Sequence, residues 1–285
     1  MTLIDGKSIS AKVKDEIKSD ASDLAAKGVK PALAVILVGE DAASKTYVAS
    51  KEKACAACGI RSVAHRLSSN VSEAALLELI ENLNEDESID GILVQLPLPK
   101  HIDTNKILEK ISPQKDVDGF SAINVGRLTS GLADGFVPCT PLGVMRLLEE
   151  YGVQIAGKNA VVLGRSNIVG KPMASLLLNA DATVTIAHSK TKNLKQLCAD
   201  ADILVAAVGR THFVGADMVK QGAVVIDVGI NRGEDGKLRG DVDFEAVAPK
   251  CSFITPVPGG VGPMTIAMLL NNTIKSAKNR LRQRA

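Results

Sequence analysis

The chain has 285 residues, 46% of them hydrophobic, enough for about two compact domains and too apolar for a disordered polymer. Lys and Arg number 34 against 32 Asp and Glu, a formal charge of +2, which supplies no field for gripping nucleic acid and makes a small molecule the expected partner. Apolar runs such as Ala32–Val38 and 203–208 fall far short of the roughly 18 residues a membrane-spanning helix needs, so no membrane association is expected.

Asp5 and Lys7 interrupt the N-terminus before an apolar signal-peptide core can form. The run ALAVILV at Ala32–Val38 predicts a strand, 42–58 a helix closed by Gly59, 72–83 an amphipathic helix, and 91–95 (GILVQ) a second strand. β-Branched runs alternating with helices predict a parallel α/β fold, and runs without internal alternation predict strands covered on both faces, hence a doubly wound sheet. At 130–138 (SGLADGFVP) the pattern breaks, and Thr140 with Pro141 reads as the N-cap and first turn of a new helix. Strands at Asn159–Leu163, Thr183–Ala187, 203–208, 223–228 and 252–255 then predict a second α/β unit. A last helix, roughly 264–279, follows the loop TPVPGGVGP (255–263) and is expected to pack back on the first domain. The domains expected are therefore 1–139, completed by 264–285, and 140–263. Lys275, Lys278, Arg280, Arg282 and Arg284 follow the last acid, Glu245, and read as cations of a helix C-terminus that frays into solvent.

The segment LGRSNIVGKP at 163–172 lies between a strand and a helix, so Gly164 and Gly170 stand where a dinucleotide-binding turn needs small residues and free amides. Its spacing, G-x-S-x-x-x-G, departs from the usual G-x-G-x-x-G, and a glycine turn of this kind is common in α/β proteins. The next strand ends in His188, Ser189 and Lys190, where an NAD site would place a carboxylate. Arg165, Ser189 and nearby lysines suit a 2′-phosphate instead, which predicts NADP.

Tyr47 and Lys51 are four apart and share a helix face with Ser44 one turn earlier. Such a pair is most often a half-buried ring beside a solvated ammonium. Gln95, however, ends a strand at the carboxyl edge where α/β folds bind ligands, and Asp118 lies in the turn KDVDGF (115–120), whose carboxylates otherwise cap local amides. Three polar residues on three loops thus have a common cleft available to them. Cys55 and Cys58 form a C-x-x-C without a second pair, inside a helix, so buried packing is expected rather than a metal. The four histidines lack ligand spacing and no G-x-S-x-G elbow accompanies them, which disfavours a metal centre and a serine hydrolase. The odd cysteine count and the missing signal peptide predict a reducing cytosol.

YVASKEKAC (47–55), VQLPLP (94–99), KDVDGF, GRSNIVGKP, AHSKT (187–191) and PVPGGVGPMT (256–265), in this order over nearly the whole chain, closely resemble the bifunctional methylenetetrahydrofolate dehydrogenase/cyclohydrolase family. The resemblance implies an α/β N-terminal catalytic domain and a Rossmann-like C-terminal domain in a cytoplasmic homodimer. It implies oxidation of 5,10-methylenetetrahydrofolate by NADP and hydrolysis of the methenyl product to 10-formyltetrahydrofolate, in one cleft between the domains. By family position Lys51 is the key catalytic group, Tyr47 packs against the folate, Gln95 adjusts Lys51, and Asp118 binds the pterin. Gly164, Arg165, Ser166, Ser189 and Ile230 fall on cofactor positions, while Leu96, Pro256, Gly259, Gly260, Val261 and Pro263 border the folate.

Hydride loss from a carbon between two nitrogens needs mainly alignment, whereas adding water to the methenyl carbon needs proton transfer, a task Lys51 fits if its amine is neutral. Two alternatives keep part of the pattern. An NADP oxidoreductase of a small hydroxy acid shares the second half and the lysine but leaves VQLPLP and the 256–265 signature unexplained. A non-catalytic NADPH-binding sensor would hold cofactor without turnover.

Overall fold

The computed structural model describes residues 1–233 and 235–284. The chain divides into two units, Lys12–Cys139 with the chain from Ile266 onward, and Met1–Ala11 with Thr140–Thr265. Strand β1 (Thr2–Leu3) and helix α1 (Gly6–Ala26) open the chain, and the division falls within α1.

The unit beginning at Lys12 is built on β2 (Ala32–Val38), all seven residues of which are buried. Helix α2 (Ala42–Ala57) leads to β3 (Arg61–Leu67), and α3 (Glu73–Glu85) to β4 (Gly91–Val94). The strands form a parallel sheet in the order β3-β2-β4, so the uninterrupted apolar run belongs to the central strand. Strand β3 is an edge with a half-exposed pattern, and its sequence RSVAHRL carries too many polar residues to register as an apolar run. Ser72 caps α3 by accepting from the Ala75 amide at 3.2 Å, and Leu76, Ile80 and Leu83 form its buried stripe. Gly91 opens β4 because a β-carbon there would stand 2.8 Å from the Val117 side chain. Helices α4 (Thr104–Lys110) and α5 (Ala122–Thr129) follow.

The second unit alternates α6 (Cys139–Glu150), β5 (Asn159–Leu163), α7 (Gly170–Asn179), β6 (Thr183–Ala187), α8 (Leu194–Ala199), β7 (Ile203–Ala206) and β8 (Val224–Asp227). A hairpin, β9 (Asn231–Arg232) and β10 (Leu238–Arg239), then precedes α9 (Phe244–Val247) and β11 (Phe253–Ile254). The main sheet has the order β1-β11-β8-β7-β5-β6 with every pairing parallel. Strands β6 and β7 lie on opposite sides of β5, so the order of strand addition reverses between β5 and β7, and the carboxyl ends at such a switch point are where α/β sheets bind ligands. The first eleven residues, expected with the first domain, belong here: β1 pairs Thr2 with Phe253 and Leu3 with Ile254 as the sixth strand. Strand β1, two residues and so too short to carry a periodic signal, thereby gains backbone partners.

The last helix, α10 (Val261–Arg284), begins earlier and ends later than its sequence pattern. Pro263 does not delay it, because a first-turn proline gives up an amide that has no helical partner. Thr140 lies inside α6 rather than capping it, with its hydroxyl 2.9 Å from that of Thr265. From Ile266 onward α10 packs on the unit that begins at Lys12, and the cations expected to fray are held there. Lys275 donates to the Ala133 and Gly135 carbonyls at 3.0 and 2.6 Å, and Lys278 pairs with Asp20 at 2.7 Å. Arg280 grips both oxygens of Asp90, at 2.7 and 3.1 Å, while Asp90 also accepts from the Ala32 amide. Arg282 is exposed, and the side chain of Arg284 lies outside the described residues.

Because the Asp90 side chain has no exposed surface, removing its partner strands a buried charge. Arg280→Ala is expected to lower unfolding stability by about 3–5 kcal/mol, whereas Arg282→Ala stays within about 0.5 kcal/mol. Denaturant titration of the two variants checks this, and equal small losses would remove the anchoring role of Arg280.

Candidate active site

In the unit beginning at Lys12, α2 starts at Asp41, whose carboxylate accepts from the Ser44 amide at 2.7 Å; that bond holds its pKa below the usual value. Tyr47 and Lys51 follow at helical spacing, the tyrosine 44% exposed and the lysine half-buried. Where β4 ends, the Gln95 amide nitrogen of the backbone donates to the Ile36 carbonyl, which fixes the residue at the sheet edge. Its side-chain Nε2 donates to the Leu96 carbonyl at 2.7 Å, turning Oε1 toward Lys51, whose Nζ donates to it at 3.0 Å.

The two carboxylates of KDVDGF divide the work. Asp116 is buried and accepts from the Gly119, Phe120 and Ser121 amides at 3.0, 3.2 and 2.8 Å and from Asn124 Nδ2 at 2.9 Å. That is the local capping expected of a turn. Asp118 takes none of these donors; the Cys139 thiol donates to its Oδ1 at 3.4 Å. Burial raises the Asp118 pKa, and the Lys51 charge opposes the rise. Lys51, Gln95 and Asp118 are thus brought together, with Tyr47 one turn away on α2. The Cys139 thiol is itself pushed well above its ordinary value, first by burial and then by Asp118.

In the second unit, Gly164 (φ +129°) follows β5 and lies against the loop after β7, where a β-carbon would run into the Ala207 carbonyl oxygen. A β-carbon at Gly170 would likewise strike the Gly164 carbonyl. Both glycines are therefore required by close backbone approach. The Ser166 hydroxyl accepts from the Val169 and Gly170 amides at 3.2 and 3.3 Å and so shapes the start of α7. After β6, the His188 amide donates to Thr191 Oγ1 at 2.9 Å and His188 Nδ1 accepts from the Lys190 amide at 3.2 Å, a turn that leaves Ser189 and Lys190 exposed. Arg165 is exposed as well.

Two acids outside the motifs, Asp241 and Asp227, hold the neighbouring loops. Asp241 accepts from three successive amides, Val208, Gly209 and Arg210, at 2.6, 2.9 and 2.8 Å, and from Asn231 Nδ2 at 2.9 Å. Asp227 accepts from the Gly229, Asp241 and Val242 amides, each at 2.9 Å, and burial lifts its pKa to about 6. Ile230, 44% exposed, lies in the segment so fixed. A carboxylate ending the apolar run VVID was the available signal. The loop after β11 is pinned similarly: Thr255 Oγ1 accepts from the Asp227 amide at 2.7 Å, the Gly260 amide donates to the Pro256 carbonyl, and the Lys7 amide to the Gly259 carbonyl. Val261 and Pro263 stand in the first turn of α10 rather than in this loop.

All five cysteines are free and buried, and burial pushes Cys55 up to about 12, so the C-x-x-C thiols lack thiolate character. Among the described residues, no group of three His, Cys, Asp or Glu is placed to hold a metal ion, and no helix is long and apolar enough to cross a membrane.

Residues 4–118 match the model of the tetrahydrofolate dehydrogenase/cyclohydrolase catalytic domain, and 138–281 that of the family's NAD(P)-binding domain. A bifunctional protein FolD of Campylobacter hominis is 72% identical over 283 residues, covering 99% of each chain. The crystal structure of the bifunctional FolD dehydrogenase/cyclohydrolase from Campylobacter jejuni is 59% identical with a TM-score of 0.97, covering 98% of this chain and 99% of that one. The Trypanosoma brucei enzyme, solved with NADP cofactor and inhibitor, is 42% identical with a TM-score of 0.94 and 99% coverage of both. With both of its halves matched in order, the chain belongs to the tetrahydrofolate dehydrogenase/cyclohydrolase family.

Proposed function

We infer that the chain oxidises 5,10-methylenetetrahydrofolate with NADP and hydrolyses the resulting 5,10-methenyltetrahydrofolate to 10-formyltetrahydrofolate, and that Lys51 carries the proton transfers of the second step. Family membership of both halves supports the pair of reactions and displaces the hydroxy-acid oxidoreductase and the cofactor sensor. The observation that carries the assignment of Lys51 is its 3.0 Å bond to Gln95 Oε1, with Asp118 in electrostatic reach.

NADP suits the turn after β5, because two positions there exclude a β-carbon and leave backbone available to a pyrophosphate. Gly164, Arg165, Ser166, Ser189 and Ile230 are the residues assigned to hold it. When bound, NADP supplies the acceptor for the hydride leaving the methylene carbon. For that step the chain's contribution is alignment: Asp118 accepts from the pterin's amino group and adjacent ring N–H, Tyr47 packs against the folate, and Leu96, Pro256, Gly259, Gly260, Val261 and Pro263 border it. In the hydrolysis, water adds to the cationic carbon and loses a proton, and the bond from that carbon to N5 then breaks as N5 takes up a proton, which places an acid/base within reach of that carbon. Gln95, turned by the Leu96 carbonyl, holds the Lys51 amine in place for that role. We place the reactions in the cytoplasm, supported by the five free cysteines, and in a homodimer, which follows the family resemblance.

Lys51→Met keeps much of the side-chain length and removes the amine. Cyclohydrolase activity should fall by roughly 10²–10⁴-fold while dehydrogenase activity survives in part, so methenyltetrahydrofolate accumulates as NADPH forms. Both are read by absorbance in one assay, and hydrolysis at the wild-type rate would sink the assignment.

Arg165→Ala should raise the KM for NADP far more than that for NAD, because a guanidinium recognises the 2′-phosphate that only NADP carries. Equal changes for the two cofactors would take that role away from Arg165.

A further inference from the structure

Asn272 sits in the middle of α10 and is 2% exposed. A buried side-chain amide in a helix interior needs partners outside that helix. Its Nδ2 donates to the Val117 carbonyl at 2.8 Å and to the Val137 carbonyl at 3.0 Å, with Cys139 Sγ at 3.8 Å. Two carbonyl oxygens facing one amide fix its orientation, since only the NH₂ end donates. Both carbonyls are tied to Asp118. Val117 is its neighbour in the chain, and Val137 lies two residues before Cys139, whose thiol donates at 3.4 Å to both Asp118 Oδ1 and the Val117 carbonyl. Asp116 already holds the amides after Asp118, so the peptide before it is held from α10.

We propose that Asn272 is a positioning residue for folate binding, acting through Asp118 by tying the 117–118 peptide and the strand of chain carrying Cys139 to one amide group. The inference rests on the pterin-binding role proposed for Asp118. A carboxylate accepting side by side from two fixed donors tolerates little rotation, and a displacement of about 1 Å weakens such binding by up to about a hundredfold. Asn272 touches neither substrate nor cofactor in this account; its effect reaches the folate only through the position of the Asp118 carboxylate.

The test is a double-mutant cycle of Asn272→Leu and Asp118→Asn, read as KM for 5,10-methylenetetrahydrofolate and for NADP. Asn272→Leu should raise the folate KM by about ten- to a hundredfold with the NADP KM within about twofold. In the Asp118→Asn background the same change should add little. Asn272→Gln keeps a donor on a longer arm, and is used where the leucine variant does not fold; it should again raise the folate KM selectively. An unchanged folate KM, equal rises for both substrates, or multiplying effects in the double variant would overturn the proposal. If Asp118→Asn itself leaves the folate KM unchanged, the role of Asp118 fails; if it raises that KM and the Asn272 variants do not, only the role of Asn272 fails.

Discussion

Asn272, Ser276 and Arg280 stand one turn apart on α10 and share a single face. They bond to the Val117 carbonyl, the Gln114 carbonyl at 2.9 Å and the Asp90 carboxylate, respectively. Asp90 immediately precedes β4, and residues 114–117 run into Asp118. One polar stripe near the end of the chain therefore holds both the start of the strand that delivers Gln95 and the turn that presents Asp118. A neutral bond of this kind is worth only about 1 kcal/mol net, but Val117 and Asp90 are buried residues whose polar groups would be costly to leave unpaired. The sheet edge and the turn keep their geometry because α10 satisfies them.

Buried carboxylates do the corresponding work elsewhere. Asp116 gathers four donors after Asp118, while Asp227 and Asp241 gather the amides of the loops after β7 and β8. In each case a fixed anion replaces the regular ladder where the chain leaves a strand, and the loop gains a defined shape without secondary structure. Asp118 differs in its surroundings: its local amides are already taken by Asp116, its one thiol contact is weak, and Lys51 stands near. That contrast between neighbouring acids separates a structural carboxylate from one free to accept a ligand.

Much of this was legible in the sequence. The apolar runs located β2, β5 and β6 to the residue, while Lys51 was marked by its helical spacing from Tyr47, Gln95 by its place at the end of a strand and Asp118 by its turn. Strand β3 escaped because an edge strand carries Arg61, His65 and Arg66 on a half-solvated surface. Helix α1 escaped although Val13, Ile17, Ala21 and Leu24 are buried at helical spacing, since small and polar residues dilute the stripe. The role of β1 depends on backbone pairing with β11, which two residues of side chain do not announce. Lys275, Lys278 and Arg280 looked like a solvated tail because their partners, Ala133, Asp20 and Asp90, are more than a hundred residues distant in sequence. Asn272 is invisible for the same reason: an amide mid-helix gives no hint of which carbonyls it meets.

The central claim is that a single bound pterin, held by Asp118, serves both reactions while the cofactor is held elsewhere. Measuring both activities of Asp118→Asn, alongside an equilibrium titration with NADP, tests it most directly. The account predicts that dehydrogenase and cyclohydrolase activities fall together and that NADP affinity stays near the wild-type value, since one acceptor of the pterin has become a donor. Loss of NADP binding with folate binding intact would contradict it.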